Sequence, residues 1–177
     1  PAEGAFSICY LNGFQTQPGD ADLWLEEHPE LLLRDAAGEP MIDPGWPDEM
    51  ALDTTTAERR DAIVAIVRPW IDDCAAAGYD AVELDNLDSW TRFDGLAIEG
   101  NLALAADLVQ HAHALGLWVA QKNALEAGAA GATSAADVFD RVEAAADGFD
   151  RAGTGHSLCD RAATAFHDIG VYIVRNE

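Results

Sequence analysis

With 177 residues, 49% of them hydrophobic and 24% charged, the chain has the composition of a folded domain and enough length to bury one substantial core. Its 32 acidic against 10 basic residues give a formal charge of −22, a field that repels phosphate backbones and anionic membranes and argues against a nucleic-acid partner. The same field favours a cationic substrate, and no run of about 18 apolar residues offers a membrane span.

Residues 5–11, "AFSICYL", read as a strand that runs into the polar loop "NGFQTQPGD". Between Ala21 and Thr56 the text mixes a short helix, a strand over Leu31–Arg34, a turn at Gly38–Pro40 and a second apolar touch at Met50–Leu52. A capping box, Thr55-x-x-Glu58, then opens a helix in which Ile63, Val67, Trp70, Ile71 and Cys74 recur at helical spacing up to Gly78, with a kink predicted at Pro69. The strand "DAVEL" follows at once. Further on, the helix "NLALAADLVQHAHALG" ends at Gly116 and is followed directly by "LWVAQKN". The same phrase is therefore written twice: helix, glycine, apolar strand, polar triplet. Weaker copies stand at 136–153 and 161–177.

Helices alternating with short strands predict an α/β fold with a parallel sheet, read here as one domain over residues 1–177. Candidate strands near residues 6, 32 or 51, 82, 119, 150 and 173 number about six to seven, short of a full (β/α)8 barrel, so the expectation is a TIM-barrel-like but abbreviated barrel or an open sheet. Such a sheet leaves an unpaired edge, through which a homodimer is expected.

"GYDAVELDNLDSW", residues 78–90, begins as a buried strand and fills with acids. Side chains alternate, so Val82 and Leu84 share one face with Asp80, while Ala81, Glu83 and Asp85 share the other. The aliphatic face should meet helices. Asp85 then falls at the carboxyl end of the strand, where parallel α/β folds place their chemistry, and Asn86 and Asp88 continue into the loop. The alternative is purely structural: the acids pair with Arg60, Arg68 or Arg92, or cap the loop. Lys122 and Asn123 hold the equivalent place on the next strand, which sets a cation beside Asp85 and holds its carboxylate ionised.

Asp53 is a similar strand-end acid, although "DTTT" is equally a helix start. Trp24, Trp46 and Trp90 suit either sugar stacking or packing. His28, His111 and His113 lie in helical contexts without metal-ligand spacing. Cys9, Cys74 and Cys159 are single and far apart, so neither a zinc site nor a disulfide framework is readable from them. There is no GxGxxG, Walker loop, GxSxG or HExxH.

"CYLNGFQTQPGD", "GYDAVELDNLDSW" and "GLWVAQKN", in this order and at these strand ends, resemble glycoside hydrolase family 114, the endo-α-1,4-polygalactosaminidase-like (β/α)8 proteins. The resemblance spans roughly residues 6–126, with "DAVELDNLD" its most specific part. It implies a secreted or cell-surface enzyme that cuts an α-1,4-linked galactosamine polysaccharide without metal or organic cofactor. It also implies that Asp85 is one of a catalytic carboxyl pair. Asn86, Asp88, Lys122 and Asn123 would line the substrate groove, Tyr10 and Asn12 would form the polar end of an early strand, and Asp53, Glu83 and Trp90 are further candidates for sugar contact.

The family's second carboxylate follows its sixth strand, but the corresponding text here, "GFDRAGTGHSLCD", has no acid between Asp150 and Asp160. Glycoside hydrolysis ordinarily needs two carboxyl groups about 5–9 Å apart. Asp53, Asp88, Asp160, Glu177 and, as an acid, His156 are the candidates for the partner. Two other readings follow: a carbohydrate-binding relative without catalysis, and a lyase or isomerase using Glu83, Asp85 and Asp88 as oxygen ligands for a divalent cation.

Overall fold

The computed structural model describes residues 7–122 and 171–174. Strands β1 (Ile8–Asn12), β2 (Ala81–Asp85) and β3 (Trp118–Lys122) run parallel, in that spatial order. Helix α1 (Ala57–Ala76) connects the first two and α2 (Ile98–Ala114) the second and third. This α/β unit of three parallel strands is the part of the expected architecture that is present among the described residues. A fourth strand, β4 (Val171–Val174), pairs antiparallel with β3, which corrects the expectation that the segment near residue 173 would extend the parallel order. The strand expected near 150 lies outside the described residues.

The repeated phrase has a simple physical origin. Gly78 and Gly116 adopt φ of +79° and +80°, the left-handed conformation that ends a helix by turning the chain back, and glycine adopts it without a Cβ clash. Each helix therefore stops three or four residues before the strand it feeds. On β2, Val82 and Leu84 are buried against Ile63, Val67 and Ile71 of α1 and Leu104 and Leu108 of α2, as the alternation requires. Helix α1 is capped by Thr56, whose hydroxyl accepts from the Arg59 N–H at 3.3 Å, one residue later than the expected capping box, and it continues through Pro69 to Ala76.

Residues 13–56 add no strand to the sheet. They form isolated antiparallel bridges, Leu32 with Leu52 and Ile42 with Met50 among them, in place of the expected strand at 31–34. Prolines at 40, 44 and 47 withdraw backbone donors and stop any longer ladder. The segment is nevertheless well anchored, because Phe14, Trp24, Leu31, Leu32 and Leu52 are all buried in the main core. A disulfide joins Cys9 of β1 to Cys74 of α1 across 65 residues. The sequence left these cysteines unassigned, since spacing alone does not show that both face the same side of the sheet.

Helix α2 is held to the loop after β2 by a buried polar cluster. Asn101 Nδ2 donates to the Leu87 carbonyl at 2.8 Å and to Ser89 Oγ at 2.7 Å, while Thr54 Oγ1 donates to Asn101 Oδ1 at 2.6 Å. The close approach depends on Gly100, where a Cβ would lie 2.6 Å from the Thr54 carbonyl oxygen. Gly100→Ala is expected to destabilise the fold by about 1–3 kcal/mol, outweighing the roughly 1 kcal/mol that alanine gains in helix propensity. Urea midpoints of the two proteins check this, and a more stable variant would show that the contact yields.

Candidate active site

Parallel pairing with Asn12 opposite Asp85 brings the carboxyl ends of β1 and β2 to one rim. Tyr10 and Glu83 pair two residues further in. At the rim Asp85 is 7% exposed; the Tyr10 hydroxyl donates to its Oδ2 at 2.8 Å, and the Asn86 N–H donates to its Oδ1 at 2.8 Å. Asn86 can bend back in this way because it adopts φ +63°, a left-handed conformation that asparagine tolerates better than most residues.

The other wall of the site comes from residues 43–49. Asp43 N–H donates to the Glu49 carbonyl at 2.9 Å, closing the loop at its ends. Asp43 Oδ1 accepts from the N–H groups of Gly45 and Trp46 inside it, at 2.8 and 3.2 Å. The loop lays Glu49 against both strand ends. Glu49 Oε2 accepts from Asn12 Nδ2 at 3.3 Å and Asn86 Nδ2 at 3.2 Å, and Oε1 accepts from Gln17 Nε2 at 3.0 Å. Between the walls lies an open cavity of about 510 Å³, lined among others by Tyr10, Trp46, Glu49, Asp85 and Arg92. A second cavity of about 430 Å³ shares Tyr10 and Gln17 with it and extends towards Trp70.

Charge in this cavity is partitioned by Arg92. Its guanidinium contacts Asp43 Oδ2 at 2.8 Å, Asp88 Oδ1 at 2.8 Å and Asn86 Oδ1 at 2.7 Å. Burial alone would push the Asp43 carboxyl up, but the Gln15 amide, the Gly45 N–H and Arg92 outweigh it and hold Asp43 below the usual carboxylate range. Glu49 moves the other way. Burial raises it, and the nearby carboxylates of Asp85 and Asp43 add to that shift against the opposing hydrogen bonds from Gln17 and Asn86. The Tyr10 hydroxyl is pushed well above its ordinary value by burial, by its bond to Asp85 and by the charges of Asp85, Glu49 and Glu83, so it remains a proton donor to Asp85.

The structure thus gathers Tyr10, Asn12, Asp85 and Asn86 at one rim and places Glu83 two residues down β2, partly buried. Asp88 is bound by Arg92, the pairing that the structural alternative foresaw for one of these acids. Asp53 is directed to the start of α1, where its carboxylate accepts from the Thr55 N–H and hydroxyl and pairs with Arg59 at 3.1 Å. That is a helix-start role. Trp90 packs, partly buried, against the core, and Trp24 is fully buried, edge-on to Trp70. Trp46, 66% exposed, is the aromatic face at the cavity mouth. Lys122 ends β3 one residue past Gln121, the partner of Leu84, so its backbone stands on the row next to Asp85. Asn123, His156, Asp160 and Glu177 lie outside the described residues, as does the 149–160 text.

Glu49, Asp43 and Gln17 were missed in the sequence reading, since nothing periodic marks "MIDPGWPDEM". The available signal was the alternation of prolines and acids around Trp46, which suits a turned loop carrying side chains into a cleft better than a strand. Among the described residues no group of three or more His, Cys, Asp or Glu side chains is arranged to hold a metal ion, so the trio Glu83, Asp85 and Asp88 does not form a cation site there. Nor, among them, is any helix long and apolar enough to cross a membrane.

Comparison with known proteins gives three solved structures of interest. The Aspergillus fumigatus Ega3 complex with galactosamine is 23% identical over 66% of this chain and 43% of its own, with a TM-score of 0.48. The glycoside hydrolase domain of PelA from Pseudomonas aeruginosa is 18% identical over 74% of this chain and 48% of its own, with a TM-score of 0.48. TtGalA, an α-galactosidase from Thermus thermophilus in complex with stachyose, is 23% identical over 60% of this chain and 22% of its own, with a TM-score of 0.38. The chain spans less than half the length of each of these structures. No curated protein matches it. The family description "Glycoside-hydrolase family GH114" matches residues 1–148, a stretch that holds the whole rim around Asp85, and the chain belongs to that family.

Proposed function

We propose that this chain carries the active cleft of a glycoside hydrolase that cuts an α-1,4-linked, galactosamine-containing polysaccharide, and that Asp85 is one of its two catalytic carboxyl groups. The observation that carries this reading is the setting of Asp85. It sits at the carboxyl end of a parallel strand, is oriented by Tyr10 and Asn86, and forms part of the wall of an open cavity. The three parallel strands fit one sector of a (β/α)8 barrel. The net charge of −22 favours a chain of protonated amino sugars over a neutral one. In this reading Lys122 and Asn123 belong to the substrate groove, as the likeness to the family implies. Export to the cell surface or medium is part of the same proposal, and the Cys9–Cys74 bridge suits an oxidising compartment.

Incubation with α-1,4-galactosaminan, with its N-acetylated form and with a neutral galactan, followed by chromatography, tests the assignment. Shorter products from the de-N-acetylated polymer are expected, unaffected by chelator. Binding to the polymer without cleavage would support the carbohydrate-binding alternative. Trp46→Ala is expected to raise KM for oligosaccharides about tenfold, the loss of roughly 1.4 kcal/mol of stacking, with kcat and melting temperature little changed. An unchanged KM would remove Trp46 from the sugar path.

A further inference from the structure

We infer that Arg92 is a positioning residue for Asp85, acting through Asn86 to fix the direction in which the carboxylate is presented to the sugar; this rests on the reading of Asp85 proposed above. Three arms of one guanidinium reach three acceptors: Nε meets Asp43 Oδ2 at 2.8 Å, Nη1 meets Asp88 Oδ1 at 2.8 Å, and Nη2 donates to Asn86 Oδ1 at 2.7 Å. The first acceptor belongs to the 43–49 loop and the other two to the turn that follows β2. One planar fork therefore ties the two walls of the cavity together.

Charge alone does not account for the third arm. Asp43 and Asp88 already supply two carboxylates for one cation. Asp43 is also fixed independently of Arg92, by Gln15 Nε2 at 2.8 Å and by the N–H groups of Gly45 and Trp46 at 2.8 and 3.2 Å. Arg92 is thus itself held from two sides, and its remaining arm is aimed at a neutral amide.

That amide has one orientation. A guanidinium has no acceptor, so it meets only Oδ1 of Asn86, which leaves Nδ2 to face Glu49 Oε2 at 3.2 Å. Clamped at both ends, the side chain pins residue 86 at φ +63°, a left-handed conformation that disfavours residues other than glycine. In that conformation the Asn86 N–H points at Asp85 Oδ1, 2.8 Å away. Without Arg92 one clamp is gone, residue 86 is freed to leave the left-handed region, and the donor that aligns Asp85 turns away.

The experiment separates the fork from the charge. Wild type, Arg92→Lys and Arg92→Ala are compared on α-1,4-galactosaminan, with near-ultraviolet circular dichroism and melting temperature recorded for each. Arg92→Lys keeps a cation beside Asp43 and Asp88, but an ammonium does not span three acceptors in a plane. It is expected to keep its fold and to lose about 10–100-fold in kcat with KM within about threefold of wild type, because a misaligned carboxylate impairs the chemical step and not binding. Arg92→Ala is expected to lose at least as much. Methylguanidine should restore part of its kcat, since the Arg92 side chain is 25% exposed in an open cavity that admits the small cation. In an Asn86→Gly background, which keeps the N–H and the left-handed conformation but deletes the amide, Arg92→Lys should cost less than about threefold in kcat. Full activity in Arg92→Lys, the same loss with and without the Asn86 amide, or a loss of kcat that follows loss of fold in both Arg92 variants would overturn the positioning role. A wild type without activity, or an Asp85→Asn as active as the wild type, would instead overturn the functional reading, and this role with it.

Discussion

Asp85→Asn is expected to lower kcat/KM on the polysaccharide by roughly 10³–10⁴-fold, equivalent to about 4–5.5 kcal/mol of transition-state stabilisation, while leaving the melting temperature nearly unchanged. The chemical part follows from charge. An amide of the same shape offers no negative charge to a sugar carbon that becomes positive as its bond to oxygen breaks. The structural part follows from the Asn86 and Tyr10 donors at the site. The Asn86 N–H keeps an oxygen to bind, and the Tyr10 hydroxyl, which now gives its proton to Oδ2, is able to rotate and accept from the new amide. A variant that loses activity together with its fold would show that Asp85 holds the rim together, and one that keeps its activity would remove Asp85 from the chemistry.

The second large effect is on stability. Reduction of the Cys9–Cys74 bridge, or its replacement by Cys9→Ala with Cys74→Ala, is expected to cost about 4 kcal/mol, because a cross-link over 65 residues removes much of the freedom of the unfolded chain. That is a large fraction of the 5–15 kcal/mol typical of a domain. The bridge ties β1 to α1, and β1 carries Tyr10 and Asn12 into the site. The reduced protein should therefore lose activity on warming well before the oxidised one. Urea midpoints with and without reductant check this, and coincident midpoints would show that the bridge contributes nothing to stability.

Helices α1 and α2 and strands β2 and β3 were legible in the sequence because each is periodic and each helix–strand junction carries a glycine that local conformation demands. Asp85 was legible for the same reason. It closes a strand whose alternation fixes where the acids go, and its site neighbours Tyr10 and Asn12 close the strand beside it. Asp53 shows the limit of that rule. It also follows an apolar run, but the run belongs to isolated bridges and not to the sheet, so the acid ends at the start of α1 beside Arg59. Glu49 was illegible because its position depends on a loop folded by long-range hydrogen bonds to Asn12, Gln17 and Asn86, none of which leaves a local pattern. The disulfide and the antiparallel β4 were hidden likewise, since each depends on contacts between segments far apart in the chain.

The most direct test of the cleft is proton NMR of α-1,4-galactosaminan during incubation with the wild-type chain and with Asp85→Asn. New reducing-end anomeric signals should grow with the wild type and stay at background with the variant. Signals growing equally in both samples, or in neither, would contradict a glycosidase centred on Asp85.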